Sequence, residues 1–247
     1  MEYAIQVERL SKSYGSLCAV ENLTLRVERG TVFGLLGANG AGKSTTIECV
    51  LGTKRPDKGE ISILGQEPGR KRKQLFERVG VQFQEANYQE KITVRELCEV
   101  TASLYRKAGD YQKLLTQFGI ADKKKSLVKD LSGGERQRLF IVLALLPNPE
   151  VVFLDELTTG LDARARREVW KILSACKAEG LTILLTSHFM DEVEALCGRI
   201  CILSHGKTAF YGTVDEAVAN SPYKTFEDAY LWYTEEEKKD ENLWHNA

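Results

Sequence analysis

Gly37-Ala38-Asn39-Gly40-Ala41-Gly42-Lys43-Ser44 follows the apolar run Val32 to Leu36 and precedes a segment with helical character. The spacing is GxxxxGK[ST], and strand–loop–helix is the setting in which that spacing cradles phosphate. Glycines let the backbone wrap closely around phosphate oxygens with N–H groups pointing inward. The first turn of the following helix adds partial positive charge. Lys43 is placed to reach the β- and γ-phosphates of a nucleotide, and the Ser44 hydroxyl to bind Mg²⁺. The alternative, a glycine-rich turn with an accidental lysine, leaves the strand before it and the helix after it unexplained.

On the N-terminal side, alternation in Ile5 to Leu10 and in Leu23 to Val27 predicts antiparallel strands. On the C-terminal side a β-type stretch, Ile61 to Leu64, follows Gly59. From about Glu85 to Gln137 the apolar spacing turns helical. Thr93 and Glu96 form a capping box, and Leu97, Val100 and Leu104 follow at i, i+3 and i+7. Leu115, Phe118 and Gly119 predict a helix and its stop. Strand–helix alternation then resumes. Val151 to Leu154 is a buried strand, Asp162 caps a helix carrying Val169, Ile172, Leu173 and Cys176, Gly180 ends it, and Ile183 to Leu185 is the next strand. This pattern predicts an α/β chain with a mainly parallel sheet and ligand loops at the strand C-termini. An antiparallel β subdomain precedes it and a helical segment is inserted. From Pro222 the chain is amphipathic and then charged, Glu235 to Glu241. The simplest account of the charged part is a solvated tail.

Composition narrows the function. Lys plus Arg number 34 against 35 Asp plus Glu, for a net charge of -1 in 247 residues. A surface that is basic all over, as a nucleic-acid sheath requires, is excluded. The basic run Arg70 to Lys73 follows Pro68-Gly69 and is more simply a solvated loop. The longest apolar run, Phe140 to Leu146, falls far short of the roughly 20 residues of a membrane-spanning helix. Met1-Glu2-Tyr3 starts no basic region followed by an apolar stretch, so no signal sequence is expected. Six cysteines without a CxxC pair are expected to be small buried hydrophobes in a reducing compartment.

Further polar residues sit where chemistry is done in such sheets. Asp155 ends the strand Val151 to Leu154 and is placed to hold Mg²⁺. Glu156 follows and is placed to orient or deprotonate a water, although a solvated loop residue has the same sequence signature. His188 follows the strand Ile183 to Leu185 and can donate to a phosphate or serve structure alone. Gln84, taken alone, is uninformative. Leu131-Ser132-Gly133-Gly134-Glu135-Arg136-Gln137 opens a helix with a second capping box, Ser132 with Glu135. Capping does not require two glycines in a first turn, where each weakens the helix by up to about 1 kcal/mol. They point to a second helix end that approaches an anion.

The ordered set GANGAGKS, Gln84, LSGGERQ, VVFLDE, Gly160-Leu161-Asp162 and His188 resembles the ATP-binding cassette (ABC) ATPases, the nucleotide-binding subunits of ABC transporters. The resemblance covers about residues 3 to 215, with 48 residues from Gln84 to Ser132, 23 from Ser132 to Asp155 and 33 from Asp155 to His188. It implies a P-loop ATPase core at 1–84 and 141–221, a helical subdomain at about 85–140 and a tail at 222–247. It implies ATP and Mg²⁺ as cofactors. ATP would be held by Tyr14, stacking on adenine, by Gly37 to Ser44 with Thr45, and by Gln84. Ser44, Gln84 and Asp155 would hold the metal, Glu156 would be the catalytic base and His188 the γ-phosphate switch. A strand-edge role remains the alternative for Tyr14. Ser132, Gly133, Gly134, Glu135 and Gln137 would face ATP on a second ATPase subunit, with Asp162 at the interface between the two. A separate transmembrane permease would be the other partner, and the chain would be cytoplasmic and peripheral to the membrane. Two positions depart from the family pattern. Leu157 stands where proline often follows the glutamate, and Gly198 stands where aspartate commonly precedes the arginine, here Arg199.

Segments around Gly180 to Met190 and Phe226 to Leu231 are similar to cassettes of drug, antibiotic or polysaccharide exporters. An amphipathic helix covering the core accounts equally for the second. An ABC-type ATPase acting on DNA or translation is the rival. DNA-linked relatives carry a long coiled coil after the glutamine and translation relatives carry two cassettes per chain; neither feature occurs here. No nucleic-acid partner is expected.

Overall fold

In the computed structural model, which describes residues 2–70, 72–82 and 88–234, the strand before the glycine-rich loop lies inside a six-stranded sheet. That strand is β3, Val32–Gly37, and each of its residues is buried. β1 (Tyr3–Tyr14) and β2 (Leu17–Glu28) precede it, and α1 (Lys43–Val50) and β4 (Lys58–Ile63) follow. Next come α2 (Arg72–Leu75), β5 (Val79–Gln82), α3 (Val94–Ser103), α4 (Tyr111–Gln117) and α5 (Gly133–Leu145). The chain continues through β6 (Val151–Leu154), α6 (Ala163–Ala178), β7 (Thr182–Leu185), α7 (Met190–Leu196), β8 (Arg199–Ser204) and β9 (Lys207–Gly212). Two helices end the described chain, α8 (Val214–Ala219) and α9 (Phe226–Thr234).

The large sheet runs β5-β6-β7-β3-β8-β9, parallel except for β9 at its edge. The smaller sheet is antiparallel, β2-β1-β4. Its register opposes Ile5 to Val27, Val7 to Leu25 and Leu10 to Leu23. The alternation in sequence is therefore one buried row, packed with Ile47, Val50 and Leu51 around α1 and with Phe33 and Leu35 of β3. Fully burying a side chain of this size contributes about 1.5–3 kcal/mol. The sequence pattern leaves β5, β8 and β9, with α2, α7 and α8, unannounced.

The helical segment packs on α5 and on the β6–β7 side of the sheet. Cys98, Leu115, Phe118 and Leu139 join Val152, Leu154 and Leu185 in one core. The apolar row of α3 is not the face it buries. Thr93 caps the helix in a full capping box, as expected, but this sets a phase in which Val94 and Cys98 turn inward. Leu97 is partly buried, whereas Val100 and Leu104 are 55% and 69% exposed. α5 runs unbroken through residue 140 and lies directly on β5. A Cβ at Gly80 would fall 1.9 Å from the Ala144 carbonyl oxygen, so only glycine admits this contact.

α6 begins at Asp162, whose carboxylate accepts from the Ala165 N–H at 2.8 Å, and buries Val169 and Leu173. Gly180, at φ 102°, ends the turn after it. α9 buries Phe226, Ala229 and Tyr233 against Leu36, Met190, Ile200 and Ile202, so this part of the tail covers a core. The charged stretch Glu235 to Glu241 lies outside the described residues. Cys49, Cys98 and Cys201 are buried as expected, and burial pushes the Cys98 and Cys201 thiols up to about 12. Cys18 is exposed at the β1–β2 turn, which corrects the uniform expectation. In the basic run, Arg70 pairs with Glu67, and Arg72 donates to the Leu51 carbonyl and lies over the Phe76 ring. No helix among the described residues is long and apolar enough to cross a membrane.

Candidate functional site

Four neighbouring strands, β5, β6, β7 and β3, end on the same side of the sheet because they are parallel. Their C-terminal ends bring together groups that lie far apart in sequence, as open α/β sheets do. β3 leads into the glycine loop. Ala38, Asn39 and Gly40 are exposed there, while Lys43 is buried, its ammonium donating to the Gly37 carbonyl at 2.7 Å and the Ala38 carbonyl at 3.1 Å. Burial lowers the Lys43 pKa, and Asp155 and Glu156 oppose that shift through their charge. Gly42 has φ 102°, and a Cβ there would lie 2.4 Å from the Ala19 carbonyl oxygen. The loop is thus closed against the β1–β2 hairpin by its own chain. Ser44 is exposed and Thr45 half-buried in the first turn of α1.

Asp155 and Glu156 stand at the end of β6. Thr186, at the end of β7, joins them: its hydroxyl donates to Asp155 Oδ1 at 2.5 Å and accepts the Glu156 N–H at 2.9 Å. Gln82, the last residue of β5, donates to the Asp155 carbonyl at 3.2 Å. His188 Nε2 lies 3.2 Å from Glu156 Oε1. Glu156 itself adopts φ 50°, a conformation uncommon outside glycine and found where a site fixes its backbone. Leu157, the departure from the family pattern, is fully buried and keeps the turn in the core. Gly198 donates its N–H to the Val32 carbonyl at 2.9 Å, joining the start of β8 to that of β3.

The second helix end differs. Ser132 caps α5 by accepting from the Glu135 N–H, and Glu135 returns to the Ser132 N–H at 2.9 Å and pairs with Lys123 at 3.0 Å. Gln137 turns inward and donates to the carbonyls of Glu156, at 3.2 Å, and Leu157, at 2.7 Å. Glu135 and Gln137 are therefore engaged within their own chain, while Ser132 and Gly133 stand exposed. A Cβ on Gly133 would meet nothing within 4 Å, and neither Gly133 nor Gly134 has positive φ. Among the described residues, nothing packed against Gly133 requires glycine there.

Tyr14 is 41% exposed at the rim of the hairpin, with the Lys12 and Lys54 ammoniums 5.5 and 5.1 Å from its ring centre. Asp162 is exposed at the start of α6. Gln84 lies outside the described residues. Thr186 and Gln82 escaped the sequence argument. A hydroxyl directly after the apolar run of β7 was the available signal for the first, and the second carried none.

Ser44 and Asp155 offer two hard oxygen ligands beside a phosphate loop. That short set suits Mg²⁺, which keeps several waters and binds chiefly through one or two protein oxygens and substrate phosphates.

Residues 20–159 match the family described as ABC transporter. The Nod factor export ATP-binding protein I of Paraburkholderia xenovorans is 38% identical over 224 residues, 89% of this chain and 74% of that protein. The daunorubicin resistance ATP-binding protein DrrA3 of Streptomyces coeruleorubidus is 38% identical over 223 residues, 88% of this chain and 71% of that protein. Among solved structures, an ATP-binding subunit of an ABC transporter superposes with a TM-score of 0.85 at 28% identity, covering 93% of this chain and 99% of that one.

Proposed function

The chain belongs to the ABC transporter family and is an ATP-binding cassette ATPase, and from that premise we propose that it powers export through a separate transmembrane permease. Two such subunits close on ATP and open after hydrolysis. The export direction is supported by the names of the two relatives, a Nod factor exporter and a daunorubicin resistance protein. The chain works at the cytoplasmic face of the membrane as a peripheral subunit. Residues 1–84 and 141–221 form the ATPase core with its β subdomain, about 85–140 the helical subdomain, and 222–247 the tail.

Tyr14 stacks on adenine. N–H groups from Gly37 to Thr45 and the Lys43 ammonium hold the phosphates, the lysine exchanging its carbonyl contacts for them. Ser44, Asp155 and Gln84 would hold Mg²⁺, which would supply positive charge to offset that of the phosphates. Glu156 orients a water and takes its proton as the water oxygen bonds to the γ-phosphorus and the bond to the bridging oxygen breaks, releasing ADP and phosphate. His188, beside Glu156, holds the γ-phosphate from the other side. Ser132, Gly133 and Gly134 cap the ATP bound by a second subunit across a two-fold axis, and Asp162 lies at that interface. ATP closes the pair because its phosphates gain these donors only in the closed state, and loss of the γ-phosphate removes that difference.

The observation carrying this reading is the convergence of Asp155, Glu156, Thr186 and His188 beside the Lys43 loop. Glu156→Gln tests it. The variant should bind ATP at parental affinity, lose about 10²–10⁴-fold in kcat and accumulate as an ATP-bound dimer in size-exclusion chromatography. A variant that stays monomeric at saturating ATP and hydrolyses at the parental rate would refute the assignment.

A further inference from the structure

One carboxylate close to the reaction centre is unused by this mechanism. Glu192, in the first turn of α7, is fully buried. Its Oε1 accepts from the Thr158 hydroxyl at 2.8 Å and from the Trp170 indole N–H at 2.9 Å. Its Oε2 has no hydrogen bond among the described residues. One oxygen therefore ties three segments: the turn after Glu156, helix α6, and the helix that starts just beyond His188. A buried carboxyl with an unpaired oxygen costs stability that an apolar residue would not. Simple packing is a poor account of it.

The neighbours point the same way. Two residues beyond Glu156, Thr158 is itself fully buried. From the other side Gln137 of α5 holds the carbonyls of Glu156 and Leu157. The turn at 156–158 is thus gripped between α5, which begins at the exposed Ser132, and α7. A second contact braces the His188 segment against α6. The Arg166 guanidinium lies 4.5 Å over the Phe189 ring, and its Nη1 is 3.4 Å from Asp191 Oδ1. Arg166 and Trp170 stand one turn apart on α6, so the helix grips residues 189–192 at two points.

We propose that Glu192 is a positioning residue for hydrolysis. Through Thr158 and Trp170 it sets the Glu156 turn in register with the His188 segment, so that base and phosphate donor meet at one water. The inference rests on the roles assigned to Glu156 and His188. Glu192 touches no substrate; on the reacting side it acts through Thr158, with the Ser187 side chain beside His188 also near its carboxyl.

The test compares Glu192→Leu, which fills the volume without an acceptor, Glu192→Gln, which keeps the acceptor, and Thr158→Val, which removes the hydroxyl donor without a cavity. Each is measured for kcat and KM of ATP hydrolysis, for ATP affinity with a fluorescent analogue, and for Tm. Glu192→Leu and Thr158→Val should each lower kcat about tenfold with KM within twofold. The double variant should lose no more than Glu192→Leu alone, the mark of one shared interaction. Glu192→Gln should restore kcat to within about threefold of the parent. If both Glu192→Leu and Thr158→Val stay folded and keep kcat within twofold, or if their losses fall on KM or add independently, the proposal is overturned. Glu156→Gln run in parallel separates the two levels: its inactivity with unaffected Glu192 and Thr158 variants removes only this inference, whereas parental activity of Glu156→Gln removes the site assignment beneath it.

Discussion

The chain presents two helix ends with the residue types that meet phosphate, and they are built in opposite ways. At the start of α1 the glycines are sealed in. Gly42 has a left-handed backbone against the Ala19 carbonyl, and Lys43 is buried and bonded to the loop's own carbonyls. At the start of α5 the polar side chains turn back into their own chain, and Ser132 and Gly133 stand open with no atom near the missing Cβ of Gly133. The first is a site finished within one chain. The second is open, and on the proposed function it is half a site completed by another molecule.

The largest expected effect at these two ends is at the sealed one. Lys43→Ala should weaken ATP binding by the isolated chain about 100-fold, since a charge-assisted contact to phosphate is worth a few kcal/mol. Titration with a fluorescent ATP analogue measures it. Gly134→Asp at the open end should leave that affinity within twofold while abolishing ATP-dependent dimerisation in light scattering. A Gly134→Asp chain that binds ATP poorly as a monomer would erase the contrast. Alanine at the glycines gives a smaller contrast, of opposite sign. Gly42→Ala should lower Tm, because φ 102° and a 2.4 Å clash both oppose it. Gly133→Ala should leave Tm unchanged or raise it, by up to about 1 kcal/mol of helix propensity, while still reducing ATPase turnover.

The smallest effect concerns pH and the segment between the two ends. Burial raises the Glu192 pKa above its ordinary value, offset in part by the Ser187, Thr158 and Trp170 side chains and reinforced by the Asp191 charge. A carboxyl whose folded pKa is raised holds its proton more tightly when folded. Stability is therefore lost as pH rises from the unfolded value, near 4.5, through the folded one. Glu192→Gln does not ionise. Its Tm relative to the parent should climb over that interval and level off above it. A flat difference from pH 4 to 8 would place the Glu192 carboxyl in water.

Much of this was legible in the sequence. The glycine loop, the strand into Asp155 and the two capping boxes each have local causes, a turn, a run or a cap, that need no partner across the fold. What escaped was non-local. Thr186 acquires its role because β7 lies beside β6, Glu192 because α7 folds onto the turn at 158, and no spacing in the chain announces either. The buried face of α3 is illegible for a related reason: Val100 and Leu104 satisfy helical spacing, yet the packing of α4 and α5 decides which side is inward. Gln137 shows the limit of a motif, since its place beside the glycines says nothing of the direction its amide takes.

The position of β3 has one more consequence, for how the molecule comes into being. The strand that launches the glycine loop pairs on one side with Thr182–Leu185 and on the other with Arg199–Ser204. Its neighbours are thus made long after it, and non-local parallel pairing of this kind forms slowly. An emerging chain carries its most recognisable motif early and cannot pair the strand before it on both sides until residues 182–204 have been made. A chain that stops before residue 199 therefore leaves β3, an apolar strand, without one of its two partners.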